Sequence, residues 1–102
     1  MSFVKLASVD DVPEGNMISI RSKQDKIALA KINGEIFAFE DVCTHDDGPL
    51  SGGSINNGCV VCPRHGARFE VKTGEVRQLP ATEGIETYEV KIENGDVFIN
   101  ID

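Results

Sequence analysis

The chain has 102 residues, of which 40% are hydrophobic, and 10 Lys and Arg stand against 17 Asp and Glu, a formal charge of −7. That length allows one domain with a modest core, and the ordinary apolar content excludes intrinsic disorder. The acidity excludes nucleic acid and anionic membrane surfaces as ligands; it suits docking on a basic protein face, or serves solubility alone.

The opening Met1-Ser2-Phe3-Val4-Lys5 starts no long apolar run, so neither a signal peptide nor a membrane segment is expected, and the expected location is cytoplasmic. Apolar residues then recur with period two, which predicts strands. Residues 3–6 form the first. Ser8 to Asp11 reads as one helical turn, stopped by Pro13 and Gly15. Residues 17–21 form a strand with Ile18 and Ile20 on one face. Residues 27–32 are apolar on both faces, as in a central strand. Asn33-Gly34 is a two-residue hairpin turn that leads into a partner strand over 35–40, with Phe37 and Phe39 on one face.

The pattern then changes. Six of the ten glycines lie between Gly48 and Gly74, so this region is read as loops and tight turns. Short strands are expected at 59–61 and 67–70, with turns at Asn57-Gly58 and Thr73-Gly74. After Pro80 the alternation resumes: Tyr88, Val90 and Ile92 share one face, and Glu89, Lys91 and Glu93 the other. Asn94-Gly95 turns the chain into a last strand carrying Val97, Ile99 and Ile101. The sum is an all-β, antiparallel fold of eight or nine short strands.

Both histidines and two of the three cysteines fall in one stretch. It reads Cys43-Thr44-His45, sixteen residues, then Cys62-Pro63-Arg64-His65. Each half offers a thiolate and an imidazole, both metal ligands. The one-residue gap of Cys-x-His differs from the gaps of ordinary zinc fingers, although a Cys2His2 zinc site stays the competing reading. It suits a cluster in which each loop gives its Cys to one iron and its His to the other.

These residues, with Gly66 after the second His, resemble the cluster loops of Rieske [2Fe-2S] proteins. The likeness extends along nearly the whole chain and is strongest to the small ferredoxins of aromatic-ring-hydroxylating dioxygenase systems. It implies an antiparallel β-sandwich in which a small cluster-binding subdomain, about residues 42–79, is inserted into a β base, the whole of 1–102 being one Rieske domain. It implies one [2Fe-2S] cluster held by Cys43, His45, Cys62 and His65. In the high-potential respiratory branch each cluster loop carries an extra Cys, the two joined as a disulfide, and a Ser and a Tyr donate to sulfur. At the matching places stand Gly48 and Arg64, which cannot form the disulfide, and Ala67 and Phe69, which have no hydroxyl to donate. The resemblance is thus to the low-potential branch, near about −150 mV.

Three further features have two readings each, and Pro63 has one. Cys59 with Cys62 spells Cys-Val-Val-Cys, half a zinc site or a redox pair; on a strand, residues three apart point oppositely, so Cys59 is expected as a buried thiol facing the core. Pro63 stiffens the second loop. Pro80 resembles the proline loop that covers Rieske clusters, or simply ends a strand. Asp46, Asp47, Arg64 and Arg68 rim the exposed His edge, where they steer partners or are merely solvated.

The resemblance implies a monomeric one-electron carrier, not an enzyme, working between an NAD(P)H-dependent flavin reductase and a terminal Rieske non-haem-iron oxygenase. The alternative is a small electron-transfer subunit of a larger oxidoreductase such as nitrite reductase. With both histidines used by the cluster, none is left for a mononuclear iron site.

Overall fold

The alternating pattern becomes eleven strands in the computed structural model, which describes residues 2–21, 26–44 and 48–101. β1 (Phe3–Ser8) runs into a 3-10 turn, Val9–Asp11, where the Ser8 N–H donates to Asp11 Oδ2 at 2.9 Å. There follow β2 (Met17–Arg21), β3 (Lys26–Ile32), β4 (Glu35–Glu40), β5 (Ser54–Asn56), β6 (Cys59–Val61), β7 (Arg68–Glu70), β8 (Val76–Gln78), β9 (Thr87–Tyr88), β10 (Val90–Glu93) and β11 (Asp96–Asn100). They pair antiparallel in three sheets of order β1-β11-β10, β2-β3-β4-β9 and β5-β6-β7-β8.

Three Asn-Gly pairs make three of the hairpins. Asn33 and Gly34 (φ 53° and 80°) join β3 to β4, Asn57 and Gly58 (50° and 77°) join β5 to β6, and Asn94 and Gly95 (51° and 79°) join β10 to β11. Positive φ at both central residues is what a type I′ turn needs, and its twist matches that of the strands it links.

The β2-β3-β4-β9 sheet is the middle layer, and this explains why β3 is apolar on both faces from Ile27 to Ala30. Ile27 and Leu29 face a core shared with Val97 and Ile99 of β11. Ala28 and Ala30 face a second core shared with Val60 and Phe69 of the β5-β8 sheet. β4 alternates in the same way: Ile36 and Ala38 enter the first core, while Phe39 enters the second with Phe37 packed against it. Burying a strand on both faces removes the polar side that a sheet facing water would keep.

Three expectations change. The strands number eleven among the described residues because β5, inside the glycine-rich region, and β8, just after it, add three residues each of strand. The segment after Pro80 is not one strand: β9 pairs with β4 and β10 pairs with β11, so the chain changes sheets at Glu89. Tyr88 and Val90 pack on the first core, but Ile92 is 47% exposed. Ile101 lies beyond the end of β11 and is exposed.

Candidate metal centre

Two loops carry the candidate ligands. The first leaves β4 at Asp41 and reaches β5 at Ser54; the second joins β6 to β7 over residues 62–67. In the first, the Cys43 N–H donates to the Gly48 carbonyl at 2.7 Å. In the second, the Cys62 N–H donates to Ala67 O at 2.8 Å and the Gly66 N–H to Cys62 O at 3.1 Å, a tight turn that Gly66 closes at φ 76°. Arg64 braces loop to loop: its Nη1 donates to Pro49 O at 2.8 Å. Its guanidinium lies over Gly48, where a Cβ would come within 2.6 Å of Arg64 Cζ. These are the two positions at which the respiratory branch was expected to carry its disulfide, and here an Arg crosses between them.

Cys43 is 0% exposed and Cys62 2%, both belong to the second core with Leu50, Val60, Ala67 and Phe69, and neither is in a disulfide. His65 is exposed. Thr44, between the first Cys and His of the motif, donates from Oγ1 to Glu83 O at 2.7 Å and so ties the first loop to the segment before β9. Gln78 Nε2 donates to Gly66 O at 3.1 Å, which brings the turn containing Leu79 and Pro80 against the second loop. Leu79 itself is 70% exposed. Ala67 and Phe69 are fully buried and offer no hydroxyl.

His45, Asp46 and Asp47 lie outside the described residues. Among the described residues no three Cys, His, Asp or Glu side chains gather into a metal-binding set. The structure therefore brings Cys43 and Cys62 into one core and leaves His65 at the surface. Of the remaining rim residues, Arg68 turns to Asn56, donating from Nη2 to its Oδ1 at 2.7 Å.

Cys59 corrects an expectation. It is only half-buried, opposite Asn56 on β5 and Glu70 on β7, and it is outside both cores. Its sheet buries one face, which Val60 and Cys62 share; alternation then turns Cys59 outward. Its neighbour Glu70 accepts from Arg77 Nη2 at 2.8 Å and from Thr73 Oγ1 at 3.0 Å, and these bonds hold its carboxyl below the usual range.

Asp41 is the residue that reading the sequence missed. It is the one fully buried charged side chain among the described residues. Oδ1 accepts from the N–H groups of Leu50 (2.8 Å) and Ser51 (2.6 Å); Oδ2 accepts from Ser51 Oγ (2.6 Å) and Ser19 Oγ (2.9 Å). Burial pushes its pKa up, but the Ser51 hydroxyl and N–H, then Ser19 and Leu50, more than offset this and hold the carboxyl below its ordinary value. In the sequence, Glu40-Asp41 looks like any solvated strand end.

The likeness to known proteins agrees with this geometry. The profile of the Rieske [2Fe-2S] domain matches residues 2–89. The chain belongs to that family. The ferredoxin component of the naphthalene 1,2-dioxygenase/salicylate 5-hydroxylase systems of Ralstonia sp. is 37% identical over 101 residues, covering 99% of this chain and 97% of that protein. The Sphingomonas yanoikuyae B1 ferredoxin superposes with a TM-score of 0.93 at 29% identity, over 99% of this Rieske chain and all of the other. A chain in the complex of reduced oxygenase and oxidized ferredoxin of carbazole 1,9a-dioxygenase matches with a TM-score of 0.89 at 28% identity, over 95% and 91% of the two chains.

The cofactor of a Rieske domain is a [2Fe-2S] cluster, and the residues present fit one. Two thiol side chains share one buried core, and His65, three residues after Cys62, is exposed. Thiolate sulfur together with imidazole nitrogen is the donor set such a cluster would take.

Proposed function

We propose that this chain is a soluble, monomeric, cytoplasmic one-electron carrier and not itself an enzyme. It takes electrons from an NAD(P)H-dependent flavin reductase and passes them to a terminal Rieske non-haem-iron oxygenase. The observation that carries this reading is the end-to-end likeness to ferredoxin components of aromatic dioxygenase systems. The ferredoxin–oxygenase complex supports the oxygenase as partner. Among the described residues no helix is long and apolar enough to cross a membrane.

In this reading Cys43 and Cys62 hold one iron, His45 and His65 hold the other, and residues 42–79 form the cluster-binding subdomain of a single domain spanning 1–102. When bound, the cluster supplies a one-electron couple. Two thiolates rather than four leave its oxidised form neutral, which raises the potential above the ~−400 mV of plant-type ferredoxins. The chain's own residues do the rest. The core around Cys43 and Cys62 excludes water from the sulfurs. Exposed His65 lies where a partner can reach it. Arg64 and Thr44 fix the two loops against each other and against the base.

The test is electron transfer between purified components. The reduced protein, mixed anaerobically with the terminal oxygenase of an aromatic-ring dioxygenase system, should be reoxidised, and more slowly as salt rises if the charge of −7 steers docking. Failure to reduce any such oxygenase, with a large subunit that co-purifies from the native host, would support the alternative place inside a nitrite-reductase-type enzyme.

A further inference from the structure

We propose that Asp41 is a positioning residue for the cluster: its carboxylate clasps the two ends of the first ligand loop and sets the environment of Cys43. The inference rests on the Rieske reading above and goes beyond it, because Asp41 is not one of the four ligands.

The two loops differ in what can close them. The second connects strands that pair with each other, Val61 lying opposite Arg68, so the ladder itself brings its ends together. The first connects β4 of the middle sheet to β5 of the outer sheet, which do not pair. No ladder closes it. Asp41 stands at its entrance, two residues before Cys43, and Leu50 and Ser51 stand at its exit. The carboxylate takes three hydrogen bonds from those two residues, all 2.6–2.8 Å. Its own N–H donates to Lys26 O of β3 at 2.9 Å, and Ser19 of β2 donates to Oδ2. Entrance, exit and base therefore meet on one side chain. A fully buried carboxylate persists only where its oxygens are satisfied, and here each oxygen accepts two hydrogen bonds, Oδ1 from Leu50 and Ser51 and Oδ2 from Ser51 and Ser19.

A residue that only stabilised the fold would give a different result from one that positions the cluster. The experiment uses the cluster-loaded protein and compares wild type with Asp41→Asn, Asp41→Ala and Ser51→Ala. Three readouts are taken: the rate of cluster loss to a chelator, the reduction potential and the electron paramagnetic resonance spectrum of the reduced state. Ser19→Ala, which removes a bond to the base but none to the loop exit, is the control.

Cluster loss should accelerate about tenfold in Asp41→Ala and about threefold in Ser51→Ala, with Ser19→Ala near wild type. In Asp41→Asn the resonance spectrum should shift. Its reduction equilibrium should become about threefold more favourable, because a buried negative charge no longer opposes the added electron; at 59 mV per decade this is ~28 mV upward. Variants that fold and keep the wild-type loss rate, potential and spectrum overturn the inference. If the Asp41 variants fail to fold, Ser51→Ala decides: a loss rate and spectrum equal to wild type overturn it. A wild-type protein without iron and sulfide overturns the Rieske reading itself, before any variant is compared.

Discussion

The two loops that carry the proposed ligands solve one problem in opposite ways. Residues 62–67 are a short turn between paired strands, closed by main-chain bonds from Cys62 to Ala67 and from Gly66 to Cys62. Residues 41–51 leave one sheet for another, and their ends are joined through the Asp41 side chain. A backbone-closed loop tolerates change in most of its side chains, since its bonds belong to the peptide units. A side-chain clasp concentrates the closure in one residue. The first loop is therefore the vulnerable half of the site.

The largest effect expected is loss of the cofactor. Replacing Cys43, His45, Cys62 or His65 should abolish the [2Fe-2S] absorption, since each fills its own coordination position in the proposed set. Should one replacement leave the spectrum intact, that residue is no ligand, and the symmetry between the loops breaks.

Next comes the clasp. Asp41→Ala leaves the buried N–H of Leu50 and its neighbours without their acceptor, and should lower stability by about 3 kcal/mol, seen as a fall in the unfolding midpoint. No single side-chain truncation among the non-ligand residues of the second loop should match it; Arg64→Ala, whose brace is exposed, is the sharpest comparison. A larger loss there would reverse the ranking of the two loops.

A smaller effect is expected on the potential. Ala67 and Phe69 are buried beside the second loop and carry no hydroxyl. Reduction adds negative charge, so a donor to sulfur favours the reduced form. Ala67→Ser and Phe69→Tyr should each move the potential upward by ~40 mV if each new bond is worth ~1 kcal/mol. Voltammetry decides; an unmoved potential, with both hydroxyls within reach of sulfur, would mean that exposure or net charge sets it.

The smallest effect belongs to Cys59. It is half-buried and outside both cores, so Cys59→Ser should keep the cluster spectrum and change stability by less than about 0.5 kcal/mol. Loss of the spectrum in this variant, with Cys62→Ser retaining it, would exchange the two thiols' roles.

What the sequence made legible is what local pattern controls. The apolar run of β3 and the three Asn-Gly pairs announced the middle layer and its hairpins, because two-faced burial and positive φ each restrict residue choice. The Cys-x-His and Cys-x-x-His spacing announced the metal chemistry. The strands β5 and β8 were hidden because Ser54-Ile55-Asn56 and Val76-Arg77-Gln78 each carry a single apolar residue, whereas Cys59-Val60-Val61, equally short, is apolar throughout. Cys59 was turned the wrong way because alternation gives opposite faces but not which face is buried. Asp41 was invisible for a related reason. Its burial depends on donors 22 residues earlier and 9 and 10 residues later, a relation that exists only after folding.

The central claim is that two thiolates and two imidazoles of this chain hold one cluster. The most direct measurement combines iron and sulfide analysis of the purified protein with pulsed electron paramagnetic resonance of its reduced form, after labelling histidine with 15N. Two irons and two acid-labile sulfides per chain, with two histidine nitrogens coupled to the reduced centre, are predicted. One zinc per chain without sulfide, or an iron–sulfur centre with no histidine coupling, would contradict it.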